Sequence, residues 1–197
     1  MALNVLGVGG SLREGSFSTR GVSLCLELAR QHGAETRLLE LRAAPLPLYR
    51  PDVDELPEPA REVAEAVRWA DALVLGSPDY HGTMSGAMKN FLDYHWSEFA
   101  GKLFAYVCAS HEKGLTVMDG MRTAVRQCYG WSVPYGLSVH GEQDFDAAGA
   151  LVNQRLAGRL AMLARDLVVY GALLRGQFRK DLEAGVSDSF ASRYRGG

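Results

Sequence analysis

Apolar residues along this chain follow two spacings that take turns from one end to the other. Short, nearly continuous runs such as Leu3-Asn4-Val5-Leu6-Gly7-Val8 and Asp71-Ala72-Leu73-Val74-Leu75-Gly76 have the pattern of strands buried on both faces. Between them the period lengthens. Val22, Cys25, Leu26 and Ala29 fall at i, i+3, i+4 and i+7, one face of a helix that His32-Gly33 ends. A second strand covers Thr36 to Leu41. Three prolines in Ala43–Pro51 then forbid regular structure and predict a long loop. Pro57 and Pro59 open a helix whose face is Val63, Ala66, Val67 and Ala70. After the third strand, a helix is expected from Ser85 to about Tyr94, a fourth strand over Leu103–Ala109, a helix from about Thr116 to Cys128, and a fifth strand over Val133–Val139. The last helix is expected from about Ala147 to Tyr170, with Leu156, Leu160, Leu163 and Leu167 on one stripe. The tail from Ala172 on, carrying Arg175, Arg179, Lys180, Arg193 and Arg195, is read as partly disordered.

Five strands separated by helices imply a parallel sheet with helices on both faces, because each right-handed crossover must bury a helix stripe against the sheet. The expected architecture is α/β: a flavodoxin-like three-layer sandwich of strand order 2-1-3-4-5. In such a sheet ligands sit beyond the carboxyl ends of the strands, at the switch point between strands one and three. The loops after those strands are therefore where chemistry is sought. With 197 residues the chain is read as a single domain, 1–197, with a core of about 3–170.

Composition narrows the function. The chain is 47% hydrophobic and 22% charged with a formal net charge of -2, which lacks the basic excess that nucleic acid or an anionic membrane requires. It shows neither a signal-peptide pattern nor a membrane-length apolar run, so a cytoplasmic location is expected. Cys25, Cys108 and Cys128 contain no CxxC and read as reduced core thiols. His32, His81, His95, His111 and His140 show neither HxH nor HExxH spacing, so no metal site is expected.

The loop after strand one, Gly9-Gly10-Ser11-Leu12-Arg13-Glu14-Gly15-Ser16-Phe17-Ser18-Thr19-Arg20, offers backbone N–H groups, hydroxyls and an arginine at the positive end of a helix. A helix cap is the plainer reading, although a cap uses one or two such residues. Gly10 and Gly15 have the spacing of a Walker A loop, but Ser16 stands where that motif needs lysine, and G-x-G-x-x-G does not occur. One arginine among hydroxyls suits a single terminal phosphomonoester, such as that of FMN.

The loop after strand three, Ser77-Pro78-Asp79-Tyr80-His81-Gly82-Thr83, leads into Met84-Ser85-Gly86-Ala87-Met88-Lys89-Asn90-Phe91-Leu92-Asp93-Tyr94. This segment resembles the S-P-E-Y-N-G-S-x-P-G-x-L-K-N-x-x-D-W signature of the NADPH-dependent FMN reductases, a flavodoxin-like family that includes quinone, azo-dye and chromate reductases. Gly10-Ser11-Leu12-Arg13 with Gly15-Ser16-Phe17 resembles the same family's G-S-x-R-x-x-S-x-N. The resemblance implies that Ser11, Arg13, Ser16, Ser18 and Thr19 bind the FMN phosphate and that Pro78, Asp79, Tyr80, His81 and Gly82 line the isoalloxazine. Tyr80 as a packing aromatic and His81 as a backbone hydrogen-bonder are the alternatives. Lys89 and Asp93, at i and i+4, suit a surface ion pair or a subunit contact. The chain departs from the pattern at Asp79, His81, Ser18-Thr19 and Ser85. Ser110-His111-Glu112-Lys113-Gly114 departs further, since the family has Ser followed by paired glycines there, and only Ser110 and Gly114 fit. His111 and Lys113 are candidates for an acidic group of substrate or pyridine nucleotide, or for a solvated loop.

The resemblance implies an NAD(P)H-dependent flavin reductase or quinone-type oxidoreductase, a homodimer or homotetramer, with ping-pong hydride transfer through FMN to a small-molecule acceptor. It needs no catalytic side chain, because the cofactor carries the chemistry. A flavodoxin-like electron carrier is the rival, and a flavin-free interaction module a third reading.

Overall fold

The computed structural model describes residues 2–185 together with Asp188, Ser189 and Arg193. Strands β1 (Asn4–Gly9), β2 (Glu35–Glu40), β3 (Ala72–Pro78), β4 (Leu103–Ala109), β5 (Trp131–Ser132) and β6 (Leu137–Val139) alternate with helices α1 (Phe17–Gln31), α2 (Glu58–Trp69), α3 (Gly86–Asp93), α4 (Leu115–Gln127) and α5 (Gln154–Glu183). The sheet order is β2-β1-β3-β4-β5, with β6 also on β4, and every pairing is parallel. Strand side chains alternate between two cores. Val5, Ala72 and Val74 meet α1 and α5 through Val22, Cys25, Leu160 and Leu167. Leu6, Leu73 and Leu75 meet α2, α3 and α4 through Val67, Phe91 and Met121. No helix among the described residues is long and apolar enough to cross a membrane.

The expected fifth strand is two. Val133 still donates its N–H to Phe104 O at 2.9 Å, but Pro134 has no N–H to give, and Gly136 presses so close that a Cβ there would lie 3.1 Å from Tyr106 O and 2.5 Å from Met118 Sδ. Pairing stops at Ser132 and resumes at Leu137.

The last helix begins at Gln154, not near Ala147, because Asn153 caps it by accepting the Leu156 N–H at 3.1 Å. The residues before it are held by Asp144. This buried carboxylate accepts from the His140 N–H and the Asn153 side-chain amide, each at 2.6 Å.

The first part of the tail is helical. α5 continues to Glu183, and Arg175 reaches back to donate to Asp71 at 2.9 Å and to Ala2 O at 2.6 Å. Asp71 also accepts the Asn4 N–H, so this ion pair clasps α5 onto the start of β1. Gly171 lets the helix lie there, since a Cβ would meet Leu3 at 2.9 Å. Arg195 lies outside the described residues.

Two buried polar residues occupy the amino-terminal end of β4. Lys102, 1% exposed, donates to Val67 O, the terminal carbonyl region of α2. His95, 3% exposed, sits among Phe91 and Phe99 rings, and neither ring nitrogen has a hydrogen-bond partner. Burial above all, with Lys102 and Arg68 adding to it and Glu98 opposing, pushes the imidazole down to about 4. Cys25 and Cys108 are buried and Cys128 half-buried, all as free thiols.

Candidate active site

Four loops at the carboxyl ends of β1, β3, β4 and β6 surround one cleft of about 1240 Å³. The first wall is residues 10–16. Gly10 donates its N–H to Gly76 O at 2.7 Å, and a Cβ there would lie 2.8 Å from that carbonyl, so only glycine lets the chain leave β1 along this path. Ser11 accepts the Arg13 N–H at 3.1 Å, which folds the loop back toward the first turn of α1. A helix's first N–H groups have no intrahelical carbonyl, and α1 begins at Phe17, directly after the Ser11, Arg13 and Ser16 that line this wall. The Arg13 side chain is exposed and has no ion-pair partner among the described residues.

The second wall is a tight turn. Tyr80 and Thr83 exchange both backbone hydrogen bonds, at 3.0 and 3.2 Å, around His81 at φ 57 and Gly82 at φ 80. Positive φ at both central positions defines a type I′ turn, which glycine adopts freely and histidine tolerates. The Asp79 carboxylate holds it, accepting the Gly82 N–H at 2.8 Å and the Ser110 hydroxyl at 2.9 Å. At this departure from the family pattern, Asp79 thus ties the turn to the loop after β4.

Ser85 accounts for another departure. Its hydroxyl donates to Gly10 O at 2.5 Å and accepts the Met88 N–H at 3.0 Å, while its own N–H donates to Ser77 Oγ at 2.9 Å. Proline would make the turn into α3 but neither the hydroxyl bond to the loop after β1 nor the N–H bond to Ser77 at the end of β3.

The third wall is Ser110–Gly114. Ser110 Oγ also accepts the Glu112 N–H at 3.0 Å, and Glu112 O accepts from Ser138 at 3.1 Å. Gly114, at φ 60, packs on Cys108, where a Cβ would come within 2.6 Å of the sulfur. Burial, with the Asp79 charge adding, pushes the Cys108 thiol up to about 12 and leaves it inert beneath the cleft. The fourth wall, His140–Gln143, closes against Phe17, whose ring lies 3.1 Å from a Cβ built on Gly141.

Of the residues named from sequence, Ser11, Arg13, Ser16, Pro78, Asp79, Tyr80, His81, Gly82 and Ser110 all line this cleft. Ser18 and Thr19 do not. At about 100° per residue, α1 has already turned these side chains inward: Ser18 is fully buried with its hydroxyl 2.9 Å from that of Ser16, and Thr19 packs under Gly9. Lys89 and Asp93 form an exposed ion pair outside the cleft. Nothing in the composition of the loop after β6 marks it as part of the site. Its place at the carboxyl end of a strand was the signal available.

The fit to a flavin nucleotide rests on these walls: a helix amino terminus with a free arginine at one end, a glycine-bearing turn at the other, and room between. A model of the NADPH-dependent FMN reductase family matches residues 3–144. The chain belongs to that family. Membership makes it a flavin-dependent oxidoreductase that works with FMN and a reduced nicotinamide nucleotide. Among its relatives is the NADPH-dependent FMN reductase ArsH of Shigella flexneri, 29% identical over 175 residues, 84% of this chain and 68% of that one. The FMN-dependent NADPH-azoreductase of Staphylococcus aureus is 27% identical over 144 residues, 69% of this chain and 76% of its own. In fold the family member resembles FerB, a flavoenzyme NAD(P)H:(acceptor) oxidoreductase from Paracoccus denitrificans, with a TM-score of 0.73 at 19% identity over 87% of this chain and 98% of that one.

Gly82→Val tests the second wall. A Cβ at Gly82 meets nothing closer than Thr116 Oγ1 at 3.9 Å, so the cost arises from φ 80, which a β-branched residue resists. The expected result is an FMN dissociation constant raised about tenfold or more, on the order of 1.4 kcal/mol, with the unfolding temperature of the flavin-free protein almost unmoved. Normal FMN affinity in the variant would remove the turn from the flavin platform.

Proposed function

We propose that the cleft seats FMN with its phosphate against Ser11, Arg13, Ser16 and the first turn of α1, and its ring over Pro78–Gly82. The enzyme would then reduce small planar acceptors of the flavin, quinone or azo class. The observation that carries this reading is the pairing, in one cleft, of an unpaired arginine at a helix amino terminus with a type I′ turn at the end of the adjacent strand. Bound FMN supplies acceptance of a hydride from nicotinamide and its onward delivery as electrons. The protein supplies position and charge. Arg13 and the α1 N–H groups hold a dianionic phosphate, and the turn offers a rigid, non-titrating surface for the ring. Ser110 and Asp79 act on the ring only by fixing that turn.

Purified protein mixed with NADPH, FMN and a quinone tests the reading. Rapid NADPH oxidation that depends on FMN supports it. Coloured protein without turnover would make the chain an electron carrier, and protein that ignores FMN would overturn the site.

Turnover is expected to be ping-pong. A single cleft admits donor and acceptor to the same ring face in turn, so double-reciprocal plots at several acceptor concentrations should be parallel. Intersecting lines would mean both ligands are held at once. The same reading makes the enzyme a cytoplasmic homodimer or homotetramer in which a second copy covers the rim, where Tyr80 is 50% and Leu115 58% exposed. Sedimentation measures this directly, and a monomer at working concentration would refute it.

A further inference from the structure

Only two side chains of fixed positive charge line the cleft among the described residues, Arg13 and Lys113, and neither has an ion-pair partner. Elsewhere on the described surface six arginines and lysines pair with Glu14, Asp52, Glu58, Asp93, Asp119 and Asp166, and exposed cations such as Arg30, Arg126 and Arg155 have no ion-pair partner but lie outside the cleft, so what sets Arg13 and Lys113 apart is the concavity they share. Unpaired cations facing the same concavity point to more than one anionic group on what enters it. Arg13 follows β1 and Lys113 follows β4, and β3 lies between them, so their loops start roughly 10 Å apart. FMN carries one phosphate. Held at the Arg13 corner, it leaves Lys113 without an anion.

The loop bearing Lys113 is set before any ligand arrives. Both backbone groups of Glu112 are engaged, by Ser110 and Ser138, and Gly114 is wedged on Cys108 at φ 60. His111 and Lys113 flank that pinned residue and both line the cleft. A side chain presented from a pre-ordered loop loses less entropy on binding. The carboxylates nearby do not cancel the charge: Asp79 is spent on Gly82 and Ser110, and neither Glu112 nor Glu142 lies within ion-pair distance of Lys113. Space allows a second ligand as well, since about 1240 Å³ exceeds the roughly 300–1,000 Å³ of a site for one small molecule.

We propose that Lys113, with His111 beside it, binds a phosphate of the nicotinamide nucleotide, making the loop after β4 the element that docks the hydride donor. The inference rests on the FMN-reductase reading of the cleft. It assigns Lys113 to the second ligand and not to the flavin.

The test compares the parent, Lys113→Ala and Lys113→Glu, each loaded with FMN. Calorimetry gives the dissociation constants of NADP⁺ and NAD⁺, and flavin fluorescence gives that of FMN. The alanine variant should bind NADP⁺ about tenfold more weakly and the glutamate variant more weakly still, while FMN affinity stays within about twofold. Loss confined to NADP⁺ identifies the 2′-phosphate as the group held, and equal loss for NAD⁺ identifies the pyrophosphate. Nucleotide affinity unchanged in both variants overturns the proposal, as does an FMN constant that moves by the same factor. If the parent binds no FMN at all, the reading of the cleft has failed and not the assignment of Lys113 alone.

Discussion

Arg13→Ala is expected to weaken FMN binding by roughly 1.5 to 3 kcal/mol, about 10- to 150-fold, while riboflavin binds as it does to the parent. The loop that carries Arg13 is anchored at Gly10 and Ser11 by backbone bonds that do not involve the guanidinium, so the deletion removes charge without unravelling the wall. The phosphate keeps the α1 N–H groups, which is why binding weakens and is not abolished. Added salt should erode the parent's affinity more than the variant's, because the lost term is a charge pair at an exposed side chain. Fluorescence titration with FMN and riboflavin measures all of this. Equal affinity of the parent for both ligands, with no change in Arg13→Ala, would take the phosphate away from this corner.

Acid is expected to destabilise the protein through His95. Its folded value is about 4 against an ordinary 6.5, so as pH falls the unfolded chain takes up the proton first. Stability conferred by the neutral ring is complete above about pH 6.5, declines between 6.5 and 4, and is gone below 4. The window of roughly 2.5 pH units corresponds to about 3 kcal/mol. His95→Phe should remove this slope, since the Phe91 and Phe99 rings already form an aromatic setting. It should also gain stability near neutrality, because two ring nitrogens without partners are replaced by carbon. Denaturant melts of parent and variant at several pH values decide it: parallel curves would mean that His95 does not carry the acid response.

The sheet order was legible because each strand is a short apolar run and each helix a stripe at a different period, so tertiary packing and local pattern agree. What escaped the sequence depended on contacts distant in the chain. Nothing local says that Gly136 would be pressed onto Tyr106 and divide the last strand; the start of α5, by contrast, had a local signal in the capping Asn153. The helical tail had a signal, since Gly171, Leu174 and Phe178 continue the apolar face, but the clasp between Arg175 and Asp71 joins residues 104 apart in the chain. At the cleft, loop residues were easier to place than helical ones. Ser11, Arg13 and Ser16 line the cleft from loop backbone, whereas Ser18 and Thr19 take the direction that α1 imposes. The turn at His81-Gly82 was recognisable by its glycine, and its type followed only from the positive φ at histidine.

Ser85 has a consequence for how the two ends of the cleft move. One hydroxyl bonds the loop after β1 at Gly10 and the first turn of α3 at Met88, and the same residue's N–H bonds the end of β3 at Ser77. The phosphate corner and the ring platform therefore share a hinge pin, and neither can open without straining the other. In amide exchange the Met88 N–H should open together with Gly10 and slow when a phosphate ligand arrives at a corner it never touches, so the cleft breathes as one cooperative unit.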